Sequence, residues 1–236
     1  MAISTATFDA ARKLSPAAVA EVLREHYAMV YRLAHGLAGR ADVGMGIVRY
    51  VTHRSVAIMP SWEIETEPEN WFHHFTVMTA RRVIRGRRPD PTTDLLLGDT
   101  GVAPDPAYVA FLAALRGLPQ QQQEAIILHV CEHLGPRTSS IAMDLSTEAA
   151  GNHLKAATDG LRRIADERYE IFTTRMANAY RRLAPPPDTI LPRVRSIVRR
   201  RVWPRRIGRA IAWMLLLGAF AGIAWVVWAY KDRVEI

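Results

Sequence analysis

The residues best suited to chemistry stand at His129-Val130-Cys131-Glu132-His133, a His-x-x-Glu-His pattern. On a helix the two histidines fall at i and i+4 on one face, a spacing that holds zinc, with the glutamate placed as a base. A five-residue pattern arises readily by chance, and the sequence offers no evident third ligand. His73 and His74 are adjacent, so on a helix they point apart and do not share a metal. A phosphate-binding glycine loop, a nucleophile elbow and a carboxylate dyad are all missing from the sequence. The chain is therefore expected to bind rather than catalyse, with no catalytic residue, no cofactor and no metal.

The other chemically capable groups are cations. The chain has 236 residues, 31 of them basic and 23 acidic, for a formal charge of +8. Eight arginines and no acid lie between Arg193 and Arg209, namely Arg193, Arg195, Arg199, Arg200, Arg201, Arg205, Arg206 and Arg209. Outside that stretch the charges balance, which argues against a nucleic-acid footprint over the whole protein. Arg81, Arg82, Arg85, Arg87 and Arg88 form a second cluster. It suits either a DNA backbone or a solvated helix end whose cations complement the dipole. Cys131 is the only cysteine. An intrachain disulfide is thus excluded, in keeping with a reducing cytoplasm. Met1 to Phe8 lacks the basic-then-apolar order of a cleaved signal.

From Ala210 to Tyr230 the chain runs 21 residues without a charge. A helix of that length is about 30 Å long and matches the hydrocarbon core of a bilayer. Trp203 and Trp213 near one end, and Trp225, Trp228 and Tyr230 at the other, suit the two interfaces. The arginine excess before the span predicts a single-pass protein of the cytoplasmic membrane with its N-terminal part in the cytoplasm. Within the preceding segment Ile190, Leu191, Val194, Ile197, Val198 and Val202 recur among the arginines. That pattern predicts an amphipathic stretch lying on anionic membrane. Gly218 and Gly222 form a small-xxx-small pair through which two spans could associate as a homodimer.

The elements before the span read as helices. Ser15-Pro16 opens a helix over 16–38 on the spacing of Val19, Val22, Leu23, Val30, Leu33 and Leu37. Ile47, Val48, Val51 and Ile58 mark a second, ended by Pro60. Asn70 is expected to cap a third, Trp71 to Ile84. Glycines and prolines at Gly86, Pro89, Pro91, Gly98, Gly101, Pro104 and Pro106 mark a linker. Beyond it come short helices at 107–115, from Pro119 to about Leu134, and at 138–143. Ser146 caps a last helix whose pattern runs unbroken to Pro185. Sustained strand-type alternation is missing, so the fold class is all-α. The expected domains are 1–88, a linker at 89–106, a second domain at 107–184, a juxtamembrane segment at 185–209, and the span at 210–230.

Leu118-Pro119, Gln120 to Gln123, Glu124 and the apolar run Ala125 to Leu128 resemble the opening of region four of sigma-70 family factors, especially the extracytoplasmic-function type. Glu132 and Leu134 keep its acid and apolar spacing. Ser146, Leu154, Ala157, Leu161 and Arg162 fall in register with its Ser-capped recognition helix. Val30 to Ala34, Ile47-Val48, and Trp71 before a helix ending in arginines resemble region two. The resemblance covers about residues 20–165. It implies a region-two-like domain and a helix-turn-helix region-four-like domain, with RNA polymerase core and promoter DNA as partners. The implied DNA contacts are Ser146, Thr147, Asn152, His153, Lys155, Arg81, Arg82 and Arg85. The chain departs from the family at three places. Val43, Gly44, Met45 and Gly46 stand where the family has acids that grip the polymerase clamp. Gly151, Asn152 and His153 replace the usual cations of the recognition helix, and Ser139-Ser140 replaces an Ile-Ala pair.

Two functions are compatible with these residues. One is a membrane-tethered sigma-like protein that directs or regulates transcription initiation. The other is a degenerate sigma-like scaffold at the membrane that binds neither polymerase nor promoter.

Overall fold

A computed structural model describes residues 3–63, 67–84, 89–98 and 105–234. Among these residues every regular element is helical, as the periodicity predicts. Ser4 accepts from the Thr7 amide and caps α1 (Thr5–Arg12), whose eight residues are too few to show a clear apolar period. Pro16 at the first position opens α2 (Pro16–Ala38), and Gly39, at φ 65°, closes it in the left-handed region. α3 (Ala41–Ile58) follows after two residues.

α4 runs Pro68–Ile84. It starts earlier than expected because Pro68 supplies the first turn. Asn70 therefore lies inside the helix, where its side-chain amide donates to Glu67.

α2 is the axis of the first half, packing against α1, α3, α4 and the C-terminal helix. Its apolar stripe, including Val19, Val22, Val30 and Leu33, is fully buried. Aromatic rings close one end of this core. Trp62 stacks on Phe8 at 5.8 Å and meets Trp71 at 5.1 Å and Phe72 at 5.9 Å.

Residues 89–98 lie on the core rather than spanning open space. A 3-10 turn at Leu95–Leu97 is capped by Asp94, and Leu96 is fully buried. Tyr108 donates to the Leu96 carbonyl at 2.8 Å. Prolines and glycines set the turns here, and a single leucine and one aspartate anchor them.

The second half comprises α5 (Pro106–Gly117), α6 (Gln120–Val130), α7 (Pro136–Met143), α8 (Thr147–Ala165) and α9 (Tyr169–Arg182). α8 packs against α5, α6 and α7, and α7 reaches across to α4. Two elements are shorter than the apolar pattern implies. α6 stops at Val130, and His133 beyond it has φ 54°. The expected single helix from 147 to 183 breaks at Asp166, which has φ 48° and begins a 3-10 turn at Asp166–Arg168. No glycine or proline signals that break. Aromatic packing explains it: α9 turns so that Phe172 and Tyr169 meet Phe111, at 5.4 and 6.4 Å.

α10 (Pro187–Val234) is one helix of 48 residues, containing Pro192 and Pro204. Its first part corrects the membrane-surface reading of that segment. Val194, Ile197, Val198 and Val202 are buried, and the helix packs on α2 and α3. The apolar side predicted for a bilayer is occupied by the protein's own core, while the eight arginines stay exposed. After Val202 the helix leaves the body. Its apolar stretch is long enough to cross a membrane and, among the described residues, is left exposed.

Candidate functional site

The polar groups singled out in the sequence converge on three places: the seam between the two halves, the surface of α8, and the exposed side of α10.

Arg81 on α4 lies in the seam. Its guanidinium donates to both Glu124 carboxylate oxygens, at 2.9, 2.9 and 2.6 Å, and to the Met143 carbonyl at 2.8 Å. Glu124 is almost wholly buried, and burial pushes its carboxyl up against the pull of Arg81. A pair of this geometry ties α4 to α6 and to the turn after α7. Arg82, next to it, is exposed. Arg85, Arg87 and Arg88 lie outside the described residues.

Glu132 also sits in the seam, 3.8 Å from both Arg32 Nε and His73 Nε2, and accepts a short hydrogen bond from the Tyr180 hydroxyl. Burial pushes its carboxyl up, but His73, Tyr180 and Arg32 outweigh that and hold it below the usual range. Glu132 is thus committed inside the protein. With α6 ended at Val130, the exposed His129 and His133 do not share a helix face. Among the described residues no group of three His, Cys, Asp or Glu could hold a metal. Cys131 is buried, which pushes its thiol up and leaves it a poor nucleophile.

A third pair completes the seam. Arg116 donates to Asp94 at 2.6 and 3.0 Å, and to the carbonyls of Gly36 and Leu37 at 2.8 and 3.0 Å. Those carbonyls are two of the open acceptors at the end of α2, so one side chain caps α2 and neutralises Asp94. Arg116 was absent from the sequence-derived sites. A sequence does not reveal which arginine faces inward.

α7 and α8 are joined by the turn Asp144-Leu145-Ser146, and Ser146 caps α8 by accepting from the Ala149 amide at 3.1 Å. Thr147 lies 3.3 Å from the Ser140 hydroxyl. Ser139 and Ser140 donate to the Leu134 and Arg137 carbonyls, at 3.4 and 2.7 Å, so both buried hydroxyls are satisfied locally. Asn152 and Lys155 are exposed, one helical turn apart, and His153 is half-buried beside them. Glu148 and Asp159 share that exposed face. A cleft of about 910 Å³ opens between α4 and α7, lined by Trp71, His74, Arg137, Ser140, Ile141 and Asp144 among others.

On α10 the described arginines of the 193–209 run all face outward. Arg193 additionally reaches the Met45 sulfur at 2.9 Å, placing α10 over the start of α3. Among the described residues nothing comes within 4 Å of where a Cβ at Gly218 or Gly222 would stand.

No protein-family model matches the chain, and no curated protein matches it. Two of the solved structures similar to it are as follows. One is CnrH in complex with the cytosolic domain of CnrY, at TM-score 0.55 and 13% identity, covering 69% of this chain and 97% of the matched one. The other is the sigma factor RpoE in complex with the anti-sigma factor NepR from Bartonella quintana, at TM-score 0.48 and 16% identity, covering 60% of this chain and 92% of the matched one. At this identity the first likeness shows the fold alone: the helical body of this chain is folded like the matched chain of that complex.

Proposed function

We propose that this chain is a membrane-tethered, sigma-like regulator of transcription initiation that acts through RNA polymerase, with α1 to α9 in the cytoplasm. The observation that carries the reading is α10. One helix first covers α2 and α3 with Val194, Ile197, Val198 and Val202, then continues into the uncharged stretch. It passes over Met45, within the Val43–Gly46 segment where the resemblance puts the polymerase-gripping face. The membrane helix and the cover of that face are thus one element, and the tethered state is a held state. The arginine excess before the stretch supports the cytoplasmic orientation. Promoter contact falls to Ser146, Thr147, Asn152, His153 and Lys155 on α8. Pairing of spans through Gly218 and Gly222 is compatible with this arrangement.

A second reading, a sigma-like membrane scaffold, is favoured by a different observation. Arg81 is held by Glu124, and the exposed face of α8 mixes one lysine with two acids.

The test compares the full chain with a Val194→Asp, Val198→Asp variant, both extracted from membranes. The proposed function expects core polymerase to co-purify with the variant well above the full chain, and promoter-directed transcription to follow. If neither protein retains polymerase or supports transcription, the scaffold reading replaces it.

A further inference from the structure

A separate cleft of about 380 Å³ lies where α10 crosses α2 and α3. From α3 it is lined by Arg49, Thr52 and His53, at i, i+3 and i+4. From α10 it is lined by Arg193, Ser196, Ile197 and Arg200, at i, i+3, i+4 and i+7, and Tyr27 of α2 completes the wall. Two helical stripes therefore face each other across a concavity, and each contributes arginine. Among the described residues no carboxylate lines the cleft, and none of Arg49, Arg193 and Arg200 is in an ion pair.

Docking α10 brings these like charges together, which costs free energy unless an anion lies between them. The packing of Val194, Ile197 and Val198 enforces the approach. His53 is held below its ordinary range by burial and by Arg201 and Arg200, so at neutral pH it is an uncharged ring with one N–H to donate. Thr52 gives its proton to the Val48 carbonyl at 2.7 Å, so the donors left to a ligand are the guanidiniums, His53 and Ser196. Guanidinium forks match the oxygens of a phosphoryl group, which they bind in pairs. The volume lies at the small end of the roughly 300–1,000 Å³ typical of small-molecule sites.

We infer that this cleft is a binding site for a phosphoryl group, which clamps α10 onto α3. The phosphoryl group has two possible sources, a soluble phosphate compound or a lipid headgroup. Helix geometry favours the soluble source. Arg200 precedes Ala210 by ten residues, or about 15 Å of helix, whereas the headgroup layer of one leaflet is only roughly 5–8 Å thick. The other arginines of the run, such as Arg195 and Arg206, line no part of this cleft and serve as controls. The inference rests on the cleft alone and does not depend on the role in transcription.

The experiment uses the full chain in nanodiscs of neutral phosphatidylcholine, titrated with inorganic pyrophosphate by calorimetry and by thermal shift. Saturable binding near one per chain and a raised melting temperature are expected. Arg49→Gln with Arg200→Gln should weaken binding at least about tenfold, while Arg195→Gln with Arg206→Gln leaves it within about twofold. All four arginines are exposed, so neither variant removes a core contact. A second arm repeats the titration in nanodiscs containing phosphatidylglycerol. Competition there, lost in the Arg49 and Arg200 variant, would assign the same site to a headgroup and uphold the inference. Absence of saturable binding in both arms, or equal losses in the two variants, would overturn it.

Discussion

Arg116 and Asp94 form an ion pair sealed from solvent, with Arg116 Nε 2.6 Å from Asp94 Oδ2, and the arginine is also the cap of α2. The pair joins α5, the strap at 89–98 and the end of α2. Removing one partner strands the other charge in the interior. Arg116→Met is expected to cost about 3–5 kcal/mol. Urea denaturation of the detergent-solubilised chain should show a midpoint shift of that order, and an unchanged midpoint would remove the pair from the stabilising contacts.

A close approach next to it gives a steric prediction. A Cβ at Gly36 would stand 2.5 Å from Cε2 of Tyr180, whose ring is fully buried. Gly36→Ala should destabilise by about 1–3 kcal/mol through overpacking. Pairing it with Tyr180→Leu should recover part of the loss, because the ring that collides is gone. Additive losses in the double variant would refute the proposed collision.

Arg81 and Lys155 should behave differently in DNA-binding assays. Arg81→Ala leaves Glu124 buried without its partner and is expected to cost about 2–4 kcal/mol of stability. The salt dependence of DNA affinity should not change. Lys155→Ala should leave stability untouched and reduce the salt slope by about 1, as for one phosphate contact. A lowered slope for Arg81→Ala would mean that the pair opens to release Arg81 to DNA.

Stability should fall on mild acidification. Burial lowers His26 from 6.5 to about 4, and His35 is lowered in the same way. The unfolded chain therefore takes up these protons first as pH drops below 6.5. The stabilisation is complete above 6.5 and is lost as pH falls towards 4. Between pH 6.5 and 5, His26 alone should account for about 1–1.5 kcal/mol. His26→Phe, which keeps a ring against Phe72, should flatten the melting-temperature slope across that interval. An unchanged slope would show that other groups carry the dependence.

Much of the helical plan is legible because it depends on local signals. Ser15-Pro16 and Gly39 bracket α2, and Ser146 marks the start of α8. What stayed hidden depends on contacts remote in sequence. Asp166 and His133 take positive φ without being glycine, because packing of Phe172 on Phe111 and the commitment of Glu132 to Arg32 and Tyr180 outweigh local preference. The apolar side of 190–202 is visible as periodicity, but periodicity does not say whether lipid or protein covers it. Arg81 illustrates the same ambiguity for charge. Its place near a helix end suits DNA, and only the fold reveals Glu124 opposite. Asn152 and Lys155, by contrast, are on the exposed side of α8, where the capped helix put them.

The join at Pro185-Pro186-Pro187 has a consequence for how such a protein could be set free. Val194 to Val202 belong to the same rod as the uncharged stretch, and the prolines lie on the other side of them. In the tethered state proposed above, a protease acting inside the bilayer would liberate a body still wearing its cover. One acting at the prolines would leave the cover held to α2 and α3 by packing alone, free to dissociate together with the span. Departure from the membrane and exposure of α2 and α3 are thus separate outcomes, and the address of one peptide bond decides between them.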